Sequence, residues 1–144
     1  MSLDTRRILI DTGPLVALFD RRDAYYETCR EQARSLPGSL LTCLPVITEA
    51  SYMLNRYDSR LVHLLLRACR DGVYSLLPLD KFDIDQIDTI IARYHDLCFD
   101  FADAALMHLA ERDGIEQVFT LDRRDVLVFR TSAGKSLSLL PEST

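Results

Sequence analysis

The sequence predicts an α/β fold, a three-layer α/β/α sandwich around a mostly parallel sheet of about five strands. Short, unbroken apolar segments of strand length alternate with longer segments whose apolar residues recur at helical spacing. Strands that are separated by helices form a mostly parallel sheet that is covered on both faces. The 144 residues contain no repeat, linker or low-complexity stretch, so residues 1–144 are expected to form one domain.

Each expected element is bounded by residues that start or stop regular structure. Strands are expected at residues 7–11, 40–44, 73–79, 117–122 and 136–140. Helices are expected at residues 15–20, 24–36, 45–55, 58–70, 83–95 and 101–112. Thr12 and Gly13 are expected to turn the chain, with Pro14 at the first helical position, and Gly72 and Gly114 are expected to end helices.

The composition is that of an ordinary globular protein. It is 48% hydrophobic and 27% charged, with a net charge of −5. A basic excess would be expected of a protein that coats nucleic acid, so the charge argues against that class. A nuclease stays compatible, because acids that hold metal ions count against the net charge while they serve phosphate chemistry.

The cysteines and the N-terminus favour a reducing compartment. Cys29, Cys43, Cys69 and Cys98 form no CxxC pair and have no zinc-ligand spacing with the histidines, so we expect buried free thiols. The first seven residues lack the apolar region of a signal peptide, and no apolar run approaches the length of a membrane span. We therefore expect a cytoplasmic protein without membrane association.

Four carboxylates lie where apolar residues are the norm. Asp11 and Asp122 end apolar strands, whereas Glu49 and Asp103 lie among apolar neighbours in expected helices. A carboxylate near a core must shift its pKa, find a partner or bind a metal. Because the ligand crevice of a parallel sheet lies beyond the carboxyl ends of its strands, all four can converge on one edge. The sequence therefore indicates a single metal-binding cleft.

Each acid also has a structural explanation. Asp11 can cap the helix that follows it, and Glu49 can reach solvent or pair with Arg56. Asp122 can be a turn acid paired with a neighbouring arginine, and Asp125 competes with it for a metal role.

The helix expected at residues 101–112 begins with two acids one turn apart. Asp100 is expected to be its N-cap, while Asp103 either favours the helix dipole or binds a metal. The acids within residues 83–88 lack the glycine and the closing glutamate of a calcium loop, so a solvated helix face is expected there. His108 is expected on a helix surface or as a hydrogen-bonded interior residue rather than as a metal ligand.

Four segments of the chain resemble the PIN-domain family, and within it the VapC-like ribonuclease toxins. They are IDTGPLVALFD at 10–20, VITEA at 46–50, DFADAAL at 100–106 and VFTLDRRD at 118–125. They occur in the family's order and span essentially the whole chain; no single segment is specific, whereas the ordered set is. The resemblance implies an α/β/α sandwich that hydrolyses RNA phosphodiester bonds with Mg²⁺ or Mn²⁺.

The resemblance also implies the residues of the site. The positions that match the family's acidic quartet are Asp11, Glu49, Asp103 and Asp122. Asp11 and Asp103 correspond to principal direct metal ligands, and the other two to ligands through water or holders of a second ion. Thr12 and Thr120 would hydrogen-bond these acids.

Two positions depart from the family's pattern. Val126 follows Asp125 where the family commonly has an aromatic residue, which affects the packing of that loop. Asp100 adds a fifth acid, so the ligand set around Asp103 has one more candidate. Candidate contacts to the RNA backbone, chosen by their proximity in sequence to the acids, are Arg21, Arg22, Arg123 and Arg124.

The resemblance implies RNA as the substrate, a cognate antitoxin that holds the protein inactive, and a homodimer. Two other functions stay open at this point. One is a catalytically weak PIN-fold module that binds RNA or a partner protein, against which the presence of all four acids counts. The other is a metal-dependent hydrolase of small phosphate esters.

Overall fold

The computed structural model describes residues 6–36, 38–97 and 99–141, and in them five strands form one parallel sheet. The strands are β1 (Arg7–Ile10), β2 (Ser39–Thr42), β3 (Tyr74–Leu76), β4 (Gln117–Phe119) and β5 (Ser138–Leu140), and their order in the sheet is β3-β2-β1-β4-β5. Helices flank this sheet, which confirms the α/β sandwich with about five strands. The third, fourth and fifth strands are shorter than expected, at three residues each.

Seven helices connect the strands in the described part of the chain. They are α1 (Thr12–Phe19), α2 (Tyr26–Ser35), α3 (Leu44–Asn55), α4 (Ser59–Arg70), α5 (Lys81–Arg93), α6 (Phe101–Asp113) and α7 (Arg123–Val128). Helix α7 was not expected from the sequence, because its six residues are too few to show a helical period.

Helix α1 begins earlier than the sequence predicts. Thr12, Gly13 and Pro14 form its first turn rather than a separate turn before it. Asp11 is the N-cap, with extended backbone and a side chain that accepts a hydrogen bond from the Thr12 N–H. The missing N–H of Pro14 costs nothing there, because the first N–H groups of a helix have no partner within it.

Glycine is needed at two places where the chain enters or leaves an element. Gly114 ends α6 in the left-handed conformation, at φ 66°, as expected. Gly38 lies against the start of β1, where a Cβ atom would stand 2.1 Å from the carbonyl oxygen of Arg6. A side chain at Gly38 would therefore push β2 away from β1.

The sheet has a topological switch point between β1 and β4. From β1 the chain continues to β2 and then β3 on one side, whereas β4 continues to β5 on the other. Ile10 and Phe119, the last residues of β1 and β4, are register partners. Ligands of open α/β sheets bind in the crevice beyond the strand ends at such a point, so residues 11 and 120 enter that crevice side by side.

The core is formed by the central strands and by α6. Ile8, Leu9 and Ile10 of β1 are fully buried, as are Val118 and Phe119 of β4. Every residue from 104 to 110 in α6 is buried, so this helix is covered on nearly all sides. Because α6 is held so firmly, its N-terminal residues have a fixed position relative to the sheet.

A buried ion-pair network joins α5 to α6, and it corrects the expectation of a solvated face at Asp83, whereas Asp85 and Asp88 are exposed as expected. Asp83 is buried, and its Oδ1 lies 2.7 Å from His108 Nε2 and 3.1 Å from Arg112 Nη1. Its Oδ2 accepts the Asp80 N–H, which completes a capping box at the start of α5. The hydrogen bond from His108 is the largest of several contacts that hold the pKa of Asp83 below its usual range. His108 is thus a hydrogen-bonded interior residue, as predicted.

Replacing Asp83 by Ala is expected to destabilise the protein by about 2 kcal/mol, because it leaves the buried His108 ring without its acceptor and removes one of the two hydrogen bonds of the capping box. Urea denaturation of the metal-free protein measures this. Asp85→Ala, at an exposed position two residues along the same helix, serves as the control and is expected to change stability by less than about 0.5 kcal/mol. Equal stability of the two variants would contradict a structural role for the network.

Of the cysteines, Cys29 and Cys43 are buried free thiols, as predicted, and burial raises the pKa of each to about 11. Cys69 is a free thiol that is only partly buried, and Cys98 lies outside the described residues. In the described ranges, no helix combines the length and apolar character that crossing a bilayer requires.

Candidate active site

Asp11 stands at the switch point, with both carboxylate oxygens held. Its backbone N–H donates to the Phe119 carbonyl at 2.9 Å, which continues the pairing of β1 with β4 by one residue. Oδ1 accepts the Thr12 N–H at 2.8 Å, and Oδ2 accepts the Thr120 hydroxyl at 2.9 Å. The side chain is only 6% exposed. Asp11 therefore caps α1, but a cap alone does not require a carboxylate so deeply placed.

Asp100 and Asp103 form a reciprocal capping box at the N-terminus of α6. Asp100 Oδ1 accepts the Asp103 N–H at 2.9 Å, and Asp103 Oδ2 accepts the Asp100 N–H at 3.3 Å. The N-cap prediction for Asp100 is thus confirmed, and Asp103 completes the capping box from the first turn of α6. The box engages one oxygen of Asp103, so a capping role and a ligand role of this residue are compatible.

Glu49 lies in the second turn of α3 and is half-buried. Its carboxyl interacts with that of Asp100 rather than with Arg56. The hydroxyl of Thr12 is near enough to Glu49 to lower its pKa, yet Thr12 Oγ1 makes no hydrogen bond of good geometry and is a buried polar atom without a partner. An unsatisfied hydroxyl is costly, so this one is positioned for a group that would enter the cluster.

Asp122 lies at the rim of the cluster. It is the N-cap residue of α7 without a side-chain capping bond, and its N–H donates to Thr120 Oγ1 at 3.0 Å. Asp122 is exposed, and partial desolvation, followed by the neighbouring Asp125, raises the pKa of Asp122. Asp122 also raises the pKa of Asp11, which places it within electrostatic range of that residue.

Burial and the charges of neighbouring acids raise the pKa values of three acids in the cluster. Burial, then the charges of Asp11 and Asp100, raises the pKa of Asp103 from its ordinary 3.8 to about 8. Burial, then Asp100, raises the pKa of Glu49 to about 7. The pKa of Asp11 is also raised, mainly by burial. For Asp100, burial raises the pKa, but hydrogen bonds from the Asp103 N–H and from Glu49 outweigh it and the net shift is downward.

The donors in this cluster suit a hard divalent cation, since they are carboxylate and hydroxyl oxygens. In the described ranges, however, no three acidic, histidine or cysteine side chains stand in an arrangement that would hold a metal ion. Two of the candidate donors are engaged within the cluster, since the Glu49 carboxyl interacts with that of Asp100 and one oxygen of Asp103 accepts the Asp100 N–H.

The predicted arginine contacts divide into two groups. Arg21 and Arg22 follow the C-terminal end of α1, roughly 12 Å from Asp11 at about 1.5 Å per residue, and Arg22 pairs with Asp20 at 3.0 Å. Arg123 donates to the Pro141 carbonyl, whereas Arg124 is exposed. Arg124 thus combines exposure with a position close to Asp122, whereas the exposed Arg21 and Arg22 lie farther from the acids.

The Thr120 hydroxyl links Asp11 to Asp122, and its removal gives a specific prediction. Thr120→Val is expected to weaken Mn²⁺ binding roughly 10- to 100-fold, the usual effect of losing a residue that orients a metal ligand. Thr120→Ser, which keeps the hydroxyl, is expected to bind like the unaltered protein. Calorimetric titration with Mn²⁺ measures both, and equal affinity of the valine variant would show that this hydrogen bond does not orient the site.

This protein therefore belongs to the class of parallel α/β proteins that have an acidic crevice at the carboxyl ends of their strands. Within that class the chain belongs to the PIN domain family, whose model matches residues 8–130. The sequence resemblance to this family is thereby confirmed.

The chain is also similar to individual known proteins. It is 28% identical over 137 residues to Ribonuclease VapC26 of Mycobacterium tuberculosis, which covers 93% of this chain and 100% of the relative. Its fold matches that of M. tuberculosis VapC20, described as a toxin that cleaves the sarcin–ricin loop, with a TM-score of 0.77 and 21% identity over 82% of this chain and 92% of that one. A chain of a toxin–antitoxin complex from Klebsiella pneumoniae matches with a TM-score of 0.63 and 15% identity, over 85% and 92% of the two chains.

Proposed function

We propose that this protein is a metal-dependent endoribonuclease that hydrolyses RNA phosphodiester bonds, with Mg²⁺ as the cofactor and Mn²⁺ as a possible substitute. The observation that carries the proposal is the cluster of Asp11, Glu49 and Asp103 at the switch point, where burial and the charges of neighbouring acids raise the pKa of all three. Carboxylates that repel one another in a crevice are stabilised by a divalent cation.

In this proposal Asp11 and Asp103 are the principal ligands, and Glu49 and Asp122 bind through water or hold a second ion. When bound, the cation makes a water molecule more acidic and neutralises charge that develops on the phosphate. The carboxylates by themselves would repel RNA. Thr120 fixes the orientation of Asp11, and the rigid N-terminus of α6 fixes that of Asp103. No side chain of the protein needs to act as a nucleophile.

The named relatives supply the biological setting of the proposal. One is called a ribonuclease, one a toxin that cleaves the sarcin–ricin loop, and one belongs to a toxin–antitoxin complex. We infer that this protein is likewise the toxin of a toxin–antitoxin pair, held inactive by a cognate antitoxin. We also infer that it forms a homodimer and works in the cytoplasm, where its RNA substrate is present.

The proposed activity is tested by incubating metal-depleted protein with a mixed set of RNA oligonucleotides in Mg²⁺, in EDTA, and in EDTA followed by excess Mn²⁺. Cleavage is expected in the first and third conditions and is absent in the second. Cleavage that persists undiminished in EDTA would rule out metal dependence, and an intact RNA set in all three conditions would rule out the nuclease.

The alternative is a catalytically weak PIN-fold module that binds RNA or a partner protein. One observation favours it, namely that the described acids do not already surround a common point. Thermal melting with Mn²⁺ separates the two candidates. A nuclease site that binds with a dissociation constant near 0.1 mM is expected to gain about 2.7 kcal/mol at about 10 mM Mn²⁺. An unchanged melting temperature favours the binding module.

A further inference from the structure

An apolar groove opens directly beside the acid cluster. Its volume is about 670 Å³. Its lining comprises Leu44, Pro45, Thr48, Glu49, Tyr52, Asp100, Phe101 and Ala102. Because Glu49 and Asp100 belong to both the groove and the acid cluster, the two form one continuous surface.

Helices α3 and α6 build the two sides of the groove. Leu44, Thr48 and Tyr52 recur every four residues along α3 and therefore share one face. Phe101 is the first residue of α6 and follows the N-cap Asp100 directly. The groove thus arises where a stripe of α3 meets the N-terminus of α6, the same N-terminus that carries Asp103.

Three large apolar side chains in the groove are exposed without an evident structural reason. Leu44 is 63% exposed, Tyr52 69% and Phe101 45%. Single exposed apolar residues are ordinary, but a contiguous group beside a polar site marks a binding surface. Two of the three are aromatic, and their ring faces are suited to stacking.

We propose that this groove binds an unpaired nucleobase of the RNA, next to the phosphodiester bond that is attacked at the acids. The proposal rests on the proposed ribonuclease function. Among the described residues, the charged groups in the lining are both carboxylates, which repel phosphate but tolerate a neutral base. Bases splayed out of single-stranded RNA stack on tyrosine and phenylalanine rings. The substrate is therefore RNA that is single-stranded at the cleavage point.

The test measures cleavage of a single-stranded RNA oligonucleotide whose cleaved bond has been mapped. Tyr52→Ala and Phe101→Ala are expected to raise KM about tenfold or more, which is the effect of losing one stacked base. Tyr52→Phe keeps the ring and is expected to behave like the unaltered protein. Tyr25→Ala is the matched control, because Tyr25 is 53% exposed and lies outside the groove. The Mn²⁺-induced rise in melting temperature is expected to be the same in all variants.

A second arm uses the same oligonucleotide with an abasic residue beside the cleaved bond. The missing base is expected to raise KM about tenfold for the unaltered protein and to have no further effect on Tyr52→Ala, since both changes remove one contact.

Three outcomes would overturn the groove proposal. If both alanine variants have an unchanged KM while the unaltered protein cleaves RNA, the groove does not bind a base and the ribonuclease function still stands. Variants that turn from dimer to monomer in light scattering, while the abasic effect persists in them, would show that a second copy of the chain covers this face. Variants that lose only binding to a protein partner would assign it to that partner. Failure of the unaltered protein to cleave any RNA identifies failure of the proposed function itself.

Discussion

Replacing Asp11 by Asn is expected to reduce RNA cleavage in Mg²⁺ by at least about a thousandfold, because metal-ion stabilisation supplies several kcal/mol of the catalytic effect. The protein is expected to stay folded. An amide oxygen can still accept a hydrogen bond from the Thr12 N–H. The substitution also removes a carboxyl group whose pKa is raised by burial, so the folded protein no longer has to bury that charge. Initial rates of oligonucleotide cleavage, with circular dichroism on the same samples, measure both effects.

The matched control for Asp11→Asn is Asp85→Asn, the same chemical change on the exposed face of α5. This control is expected to cleave RNA at the unaltered rate. Cleavage by Asp11→Asn within about tenfold of the control would mean that the chemistry does not depend on the cluster.

The metal-free protein is expected to lose stability as the pH rises from about 5 to about 8. The folded pKa values of Asp103 and Glu49, about 8 and about 7, lie above their ordinary values of 3.8 and 4.5. Between those limits the folded state binds more protons than the unfolded state, so the free energy of unfolding falls with pH. The melting temperature is expected to be lower at pH 8 than at pH 5, by about 5 °C or more.

Asp103→Asn isolates the contribution of the central acid to this pH dependence. The amide can still accept the Asp100 N–H, so the capping box is kept while the charge is lost. The variant is expected to show a flatter profile and to melt above the unaltered protein at pH 8 without metal. Asp85→Asn is expected to keep the original profile. An unaltered protein whose melting temperature is constant or rises over this range would contradict the electrostatic description of the cluster.

Much of the fold follows from local signals. The buried strand at Ile8–Ile10 is an unbroken apolar run, and Gly114 marks the end of α6 because the chain must turn through a left-handed conformation there. The same signals fail for α7, whose six residues are shorter than two helical turns. They also fail for the start of α1, where a proline inside the first turn looks like the start of the helix.

The convergence of the acids was predictable because topology, rather than side-chain detail, brings the strand ends together. Asp11 and Thr120 directly follow Ile10 and Phe119, which are register partners in β1 and β4. The hydrogen bond between Asp11 and Thr120 results from that pairing. The burial of Asp83 was not predicted, although Asp83 shares a helix face with the buried Ile87 and Ile90, at positions i, i+4 and i+7. The packing of α5 on α6 brings His108 to within 2.7 Å of it.

The groove was missed for a related reason. Leu44, Thr48 and Tyr52 have a clear helical spacing in the sequence, but nothing local says that this stripe faces solvent beside the acids. That information comes from the contact between α3 and α6, which brings together residues about fifty positions apart in the sequence. The pairing of Glu49 with Asp100 depends on the same contact.

The central claim, that these acids form a cation site, is tested most directly by titrating the metal-free protein with Mn²⁺ and following the free ion by electron paramagnetic resonance. The unaltered protein is expected to bind Mn²⁺ at pH 8, and Asp11→Asn and Asp103→Asn are each expected to weaken that binding by at least about tenfold. Binding of equal affinity in all three proteins, or no binding by the unaltered protein at millimolar Mn²⁺, would contradict the claim.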